Sequence, residues 1–170
     1  MSITGTGYVK RELFKVFMDV GESSTAEWEV IGDKIEEMSL EMNPNVETVT
    51  DILGITSTTL DKYEVQTSVS PFRAKKESKI FATLYDIVKE QKTLSDVEKT
   101  FLCVNLFDAT GADGSATYSA WTQKGIVAVQ SYGGGTTGLD IPFNVHWIGK
   151  RTYGTVSITS AGVVSFTASA

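Results

Sequence analysis

Apolar and polar residues alternate with a period of two over much of this chain, and one stretch alone repeats with the period of a helix. From Lys62 to Ser70, Tyr63, Val65, Thr67 and Val69 alternate with Lys62, Glu64, Gln66, Ser68 and Ser70. From Ile35 to Asn43, Met38, Leu40 and Met42 alternate with Glu37, Ser39 and Glu41. Alternation of this kind places one set of side chains on a core face and the other in water. The two runs are expected to pair. Their sheet would have an apolar side (Met38, Leu40, Met42, Tyr63, Val65, Val69) and a polar, mostly acidic side (Glu37, Ser39, Glu41, Glu64, Gln66, Ser68).

Between the runs lies Pro44 to Asp61, expected as a long loop because Asn43-Pro44-Asn45 is a turn signal. It carries Val46, Val49, Ile52, Leu53, Ile55 and Leu60. A loop this aliphatic is expected to pack on its own domain or on a neighbour. A rival reading makes residues 43–46 a tight turn that pairs Ile35–Met42 with Glu47–Leu53.

The helical stretch is Ser78–Gln91. Ile80, Phe81, Leu84, Ile87 and Val88 trace one stripe, with Lys79, Asp86, Lys89 and Glu90 opposite. Just before it, Arg73, Lys75 and Lys76 form a basic cluster, either a solvated loop or an edge that meets acids on another subunit. Other strand patterns are Leu13–Val20, Ala26–Ile31, Tyr118–Thr122, Gly125–Ser131, Ile141–Trp147 and Gly154–Thr159, the last pairing with Val163–Thr167. Thr100–Phe107 is apolar on both faces, so it reads as a central strand with cover on both sides. Asp108–Ser115 and Gly133–Gly138 read as loops, and Gly149–Thr152 as a basic turn. The expectation is a mainly β (α+β) fold: an antiparallel β-sandwich or small barrel with one flanking amphipathic helix.

Composition narrows function by exclusion. At 170 residues a single domain over 1–170 is expected. A net charge of −6 argues against a general grip on nucleic acid. The one cysteine, Cys103, lies in an apolar run and reads as a small buried hydrophobe. No apolar run approaches the ~18 residues of a membrane span. The start, Met1-Ser2-Ile3-Thr4-Gly5, lacks the basic-then-apolar pattern of a secretory signal, so a cytoplasm is the expected compartment.

Site chemistry is sparse. The one histidine, His146, has no marked nucleophile or orienting acid to work with. Gly133-Gly134-Gly135 lacks the Lys-Ser/Thr of a phosphate loop. Asp108–Gly114 fails the acid spacing of a calcium loop, with Ser119 where the bidentate Glu belongs. Glu36, Glu37 and Glu41 read as solvated acids before they read as a glycosidase pair. Trp28, Trp121 and Trp147 read as core residues before they read as a stacking platform. No catalytic residue, metal site or cofactor is expected, and the chain is not expected to be an enzyme.

In the order of its parts the chain resembles the phage tail tube (major tail) proteins and their relatives in contractile tails, tailocins and type VI secretion tubes. The matching parts are an N-terminal arm and strand, the unit Ile35–Asn43, Pro44–Asp61 and Lys62–Ser70, one amphipathic helix at Ser78–Gln91, and closing strands. The likeness spans roughly residues 8–131 and rests on architecture, without a signature motif; the Gly-rich segment 133–170 fits less closely. It implies a virion structural subunit, assembled in the host cytoplasm into hexameric rings that stack as a conduit for DNA. Glu37, Ser39, Glu41, Glu64, Gln66 and Ser68 would line the lumen. Val49, Ile52, Leu53 and Ile55 would contact the next ring, Arg73, Lys75 and Lys76 would form a subunit edge, and residues 2–11 of the flexible arm at 1–11 would bridge subunits. Partners would be further copies and the tail tip or baseplate, tape measure and terminator proteins. DNA would pass without specific binding, and there would be no membrane insertion. Two alternatives remain: a carbohydrate- or peptide-binding β-sandwich, and another phage structural part such as a head decoration or tail terminator protein.

Overall fold

The computed structural model describes residues 6–110 and 116–169. Among them are nine strands and one α-helix, the antiparallel β fold with a flanking helix that the pattern predicts. After a 3-10 turn at Arg11–Leu13 come β1 (Phe14–Asp19), β2 (Trp28–Ile31), β3 (Pro44–Thr50), β4 (Thr56–Tyr63), β5 (Gln66–Val69) and α1 (Lys79–Glu90). A second 3-10 turn at Leu94–Val97 leads into β6 (Glu98–Thr110), β7 (Thr117–Val129), β8 (Phe143–Ile158) and β9 (Val164–Ala168). Seven strands form one antiparallel sheet in the order β2-β1-β6-β7-β8-β5, with β9 also on β8; β3 and β4 form a separate hairpin.

The sheet curls because β6 buries both faces. Phe101 and Cys103 point into a large cluster under α1, with Val16, Met18, Val127 and Phe143. Leu102 and Val104 point the other way, into a smaller cluster with Phe17, Ala120 and Val156. Trp28 of β2 and Phe166 of β9, from opposite edges of the sheet, both pack on that smaller cluster. A sheet whose two edges share one core has to bend into a half-barrel. Gly125 permits a close approach inside the larger cluster: a Cβ there would lie 2.5 Å from Val145 Cγ1 and 3.0 Å from Phe101 Cε2.

α1 is fixed at both ends. The Ser78 hydroxyl accepts from the Phe81 N–H, and Gln91 closes the helix in the left-handed conformation. Glu29, on β2, accepts from the Ser78 hydroxyl at 2.7 Å and from the backbone N–H groups of Lys79 at 2.8 Å and Ile80 at 3.0 Å. One carboxylate therefore satisfies helix donors that would otherwise lack partners and ties α1 to the sheet. Ile80, Leu84 and Ile87 are the buried stripe.

A second polar contact locks β5 to β8. The buried Trp147 Nε1–H donates to Thr67 Oγ1 at 3.0 Å. Thr67→Val leaves that donor unpartnered and is expected to cost about 1–3 kcal/mol. Urea denaturation measures this; a loss below about 0.5 kcal/mol, the scale of an inconsequential surface change, would dismiss the contact.

Several expected elements are corrected. Residues 35–43 are not a strand. Lys34 and Asn43 adopt positive φ (59° and 41°), and between them the chain crosses the sheet as a strap. Met38 is buried and Ile35 and Leu40 half-buried, but Met42 is exposed, and Arg11 donates to the Met38 carbonyl. The expected pairing of 35–43 with 62–70 is reduced to a bridge between Glu41 and Gln66. Lys62–Ser70 breaks at 64–65 into the end of β4 and β5, and Tyr63 is exposed. Pro44–Asp61 is not a loop but most of the β3–β4 hairpin, and the rival turn at 43–46 does not form either. Tyr118–Thr122 and Gly125–Ser131 merge into β7, and Ile141–Trp147 and Gly154–Thr159 into β8, because the irregularity at Gln123 and Gly149–Arg151 is a bulge and not a turn. Gln123 stitches that bulge, donating to the Gly149 carbonyl and accepting from Arg151 Nε. β6 continues to Thr110 through what was expected to be the start of a loop; the rest of that loop, 111–115, and the arm at 1–5 lie outside the described residues. Residues 6–10 are exposed and belong to no strand or helix.

Candidate functional site

The feature that stands apart from the body is the β3–β4 hairpin. Every residue from Glu41 to Glu64 is exposed. Its sequence suits a strand pair: Val46, Thr48, Val49, Thr50, Thr56, Thr58 and Thr59 are β-branched. Thr48 faces Thr58 and Thr50 faces Thr56, each pair joined hydroxyl to hydroxyl at 3.2 and 3.0 Å. The ladder reaches back to the body, where Asn43 Nδ2 donates to the Glu64 carbonyl and Glu41 and Gln66 exchange backbone hydrogen bonds. At about 3.4 Å per residue, the seven-residue β3 carries the tip roughly 24 Å along its axis.

The tip is ordered by its own chain. Asp51 Oδ1 accepts from the N–H groups of Leu53 and Ile55, both at 2.9 Å, and Gly54 takes φ +78°. This small cage holds Ile52 and Leu53 outward at 102% and 79% exposure, with Ile55 and Val49 also exposed. An isolated two-stranded hairpin is marginal in water. The tip therefore presents a preformed group of exposed aliphatics, Val49, Ile52, Leu53 and Ile55, on a strand pair that stands off the body.

The expected polar face is partly gathered. Gln66 and Ser68 lie on one side of β5, with Thr67 and Val69 buried on the other. Glu41 sits beside Gln66, whose Nε2 donates to Glu41 Oε2 at 3.3 Å. Glu64 is on the hairpin base, where a hydrogen bond from Lys62 at 2.8 Å holds its carboxyl below the usual range. Glu37 and Ser39 are exposed on the strap and not on a strand. The register adds two residues that the sequence reading did not single out for this face: His146 opposite Gln66, and Asn144 opposite Ser68. Their signal was the polar alternation within Phe143–Trp147.

The basic cluster divides. Arg73 Nε donates to Asp140 Oδ1 at 3.2 Å, and Lys75 pairs with Asp33, which lowers the Asp33 carboxyl and raises the Lys75 ammonium. Lys76 is exposed, with no carboxylate partner among the described residues.

Little else here has the makings of chemistry. Cys103 is buried, and burial pushes its thiol up to about 12. His146 is exposed on β8. Trp28, Trp121 and Trp147 each pack on a core cluster. Among the described residues no group of three or more His, Cys, Asp or Glu is placed to hold a metal, and no helix is long and apolar enough to cross a membrane. Comparison with protein-family models and with curated proteins finds no match.

Proposed function

We propose that this chain is the structural subunit of a phage tail tube, assembling into stacked hexameric rings that conduct DNA. The observation that carries the reading is the β3–β4 hairpin: a fully exposed strand pair with an ordered aliphatic tip, mounted on a curled sheet with one flanking helix. Burial of such a tip is favourable at roughly 25 cal/mol per Å2 of apolar surface. In a homopolymer each copy both offers a tip and covers one.

In this reading Val49, Ile52, Leu53 and Ile55 make the contact between rings. The strap, the hairpin base and β5 contribute the lumen wall through Glu37, Ser39, Glu41, Glu64, Gln66 and Ser68, extended by Asn144 and His146. A wall that carries carboxylates repels phosphates, so DNA passes without being held. At the subunit boundary Lys76 contributes first, since Arg73 and Lys75 already hold carboxylates of their own chain. The tail tip or baseplate, tape measure and terminator proteins are the expected partners in the virion.

Sedimentation velocity across a wide concentration range tests self-assembly: large species are expected as concentration rises, and a monomer throughout argues against the reading. The lumen is tested separately. Glu41→Lys is expected to leave folding and tube length unchanged and to slow DNA ejection from reconstituted particles; ejection at the wild-type rate would remove Glu41 from the lumen.

A further inference from the structure

We propose that the bulge between β7 and β8 is a seat for a phosphate group of a DNA backbone. Here three residues of β8, Gly149, Lys150 and Arg151, stand opposite one residue of β7, Gln123. Beside the bulge is a depression of about 310 Å3. Thr100, Thr122 and Thr152 line it with Lys124 and Lys150, and among the described residues no carboxylate does. Threonine hydroxyls and lysine ammonium groups can all donate, which suits a phosphate oxygen. The proposal deepens the tail-tube reading and rests on it only for DNA as the source of the phosphate.

Positive charge collects here in a chain whose net charge is −6. Lys150 and Arg151 form no ion pair among the described residues. Lys124 has one loose contact, with Glu98 at 3.6 Å. The chain that continues from the bulge has no Asp or Glu through residue 170. The bulge is also held in shape. Gly149 takes φ +68°, its carbonyl accepts from Gln123 Nε2 at 3.3 Å, and Gln123 Oε1 accepts from Arg151 Nε at 3.1 Å. Arg151 lies over the Trp121 ring at 4.8 Å, so its charge adds to the field while Lys150 is the cation free to reach a phosphate. A seat ordered in advance loses less freedom on binding.

Placement names the source. The register sets Gln66, His146, Ile126 and Glu98 in one row across β5, β8, β7 and β6. Two residues along, about 7 Å away on the same face, the next row is Ile148, Lys124 and Thr100. The seat therefore shares a face with Gln66, Ser68, Asn144 and His146, which the tail-tube reading turns toward the lumen. DNA threading that lumen would pass the seat of every copy. One or two cations per copy, among carboxylates such as Glu41 and Glu98, make a weak contact that salt releases, so the DNA is touched and still slides.

The test titrates the dispersed full-length chain with a short DNA duplex at low salt and follows the backbone amides by NMR. Shifts are expected at residues 149–152 and 122–124, with an affinity that falls as salt rises at a log–log slope of about −1 to −2. Lys150 is exposed, so Lys150→Glu is expected to keep the melting temperature and weaken binding by about tenfold or more. Lys76→Glu, at an exposed lysine elsewhere, is expected to leave binding unchanged. Shifts with inorganic phosphate but none with the duplex would overturn a backbone phosphate as the occupant, and equal shifts with polyglutamate would make the occupant a protein acid. Shifts absent throughout, or unmoved by Lys150→Glu, would overturn the seat. Tubes built from protein that ignores the duplex strike the seat and leave the tube reading standing. Binding by protein that never assembles keeps the seat and removes the conduit.

Discussion

Ile52→Asp is expected to give a folded monomer that no longer stacks. The side chain is fully exposed, so its loss costs the isolated chain almost nothing. In the stacked state it would be buried, which contributes about 1.5–3 kcal/mol. The carboxylate that replaces it has to be stripped of water beside Asp51, an added penalty of at least about 1 kcal/mol. Together these come to about 2.5–4 kcal/mol per contact, roughly 60-fold to nearly a thousandfold in affinity. In a stacked tube each copy would both give and receive a tip, so the effect would compound along it. The melting temperature should match wild type while sedimentable species disappear, and Ile52→Val should retain assembly. Stacking of the Asp variant at wild-type concentration would mean that the tip is not the contact.

Glu29→Ala is expected to be the more damaging change to the fold. Three donors at the start of α1 converge on that one carboxylate. Hydrogen bonds to a charged group are worth about 1.5–3 kcal/mol each, but the three are not additive, so the loss should be about 2–4 kcal/mol. Against a total stability of about 5–15 kcal/mol this is a large fraction. Ser78 still caps Phe81 in the variant, so the helix should persist while its hold on β2 weakens. The expected readout is a lower urea midpoint at unchanged slope, with Glu29→Gln falling between. A midpoint equal to wild type would show that packing of Ile80, Leu84 and Ile87 alone holds the helix.

The helix was legible because its apolar stripe has a single period and Ser78 and Gln91 bound it. β1 and β6 were legible for a related reason: Phe101 to Val104 are all buried, so a run apolar on both faces could only be central. The hairpin was misplaced because two signals competed. Glu36–Met42 alternates well, yet Met38 and Leu40 reach the core from a strap, where burial needs no strand partner. The β-branched residues of 44–59 gave the stronger strand signal, masked by the aliphatics of the tip. β7 and β8 were each read as two strands because a bulge and a turn both interrupt alternation, and only the pairing of distant residues tells them apart.

Of the candidate surfaces, the tip was legible as chemistry but not as geometry. Six aliphatics in 44–61 predict a segment packed on its own domain or on a neighbour, and the structure leaves Val49, Ile52, Leu53 and Ile55 exposed. That Asp51 cages the turn and aims Ile52 outward is a matter of hydrogen bonds that no periodicity encodes.

The most direct measurement is negative-stain electron microscopy of the purified protein, concentrated and left to stand, beside Ile52→Asp treated alike. Hollow rings and stacked tubes from the wild type, with rings or monomers alone from the variant, are the predicted result. Uniform small particles from both, at every concentration, would contradict a chain that builds a tube through its hairpin.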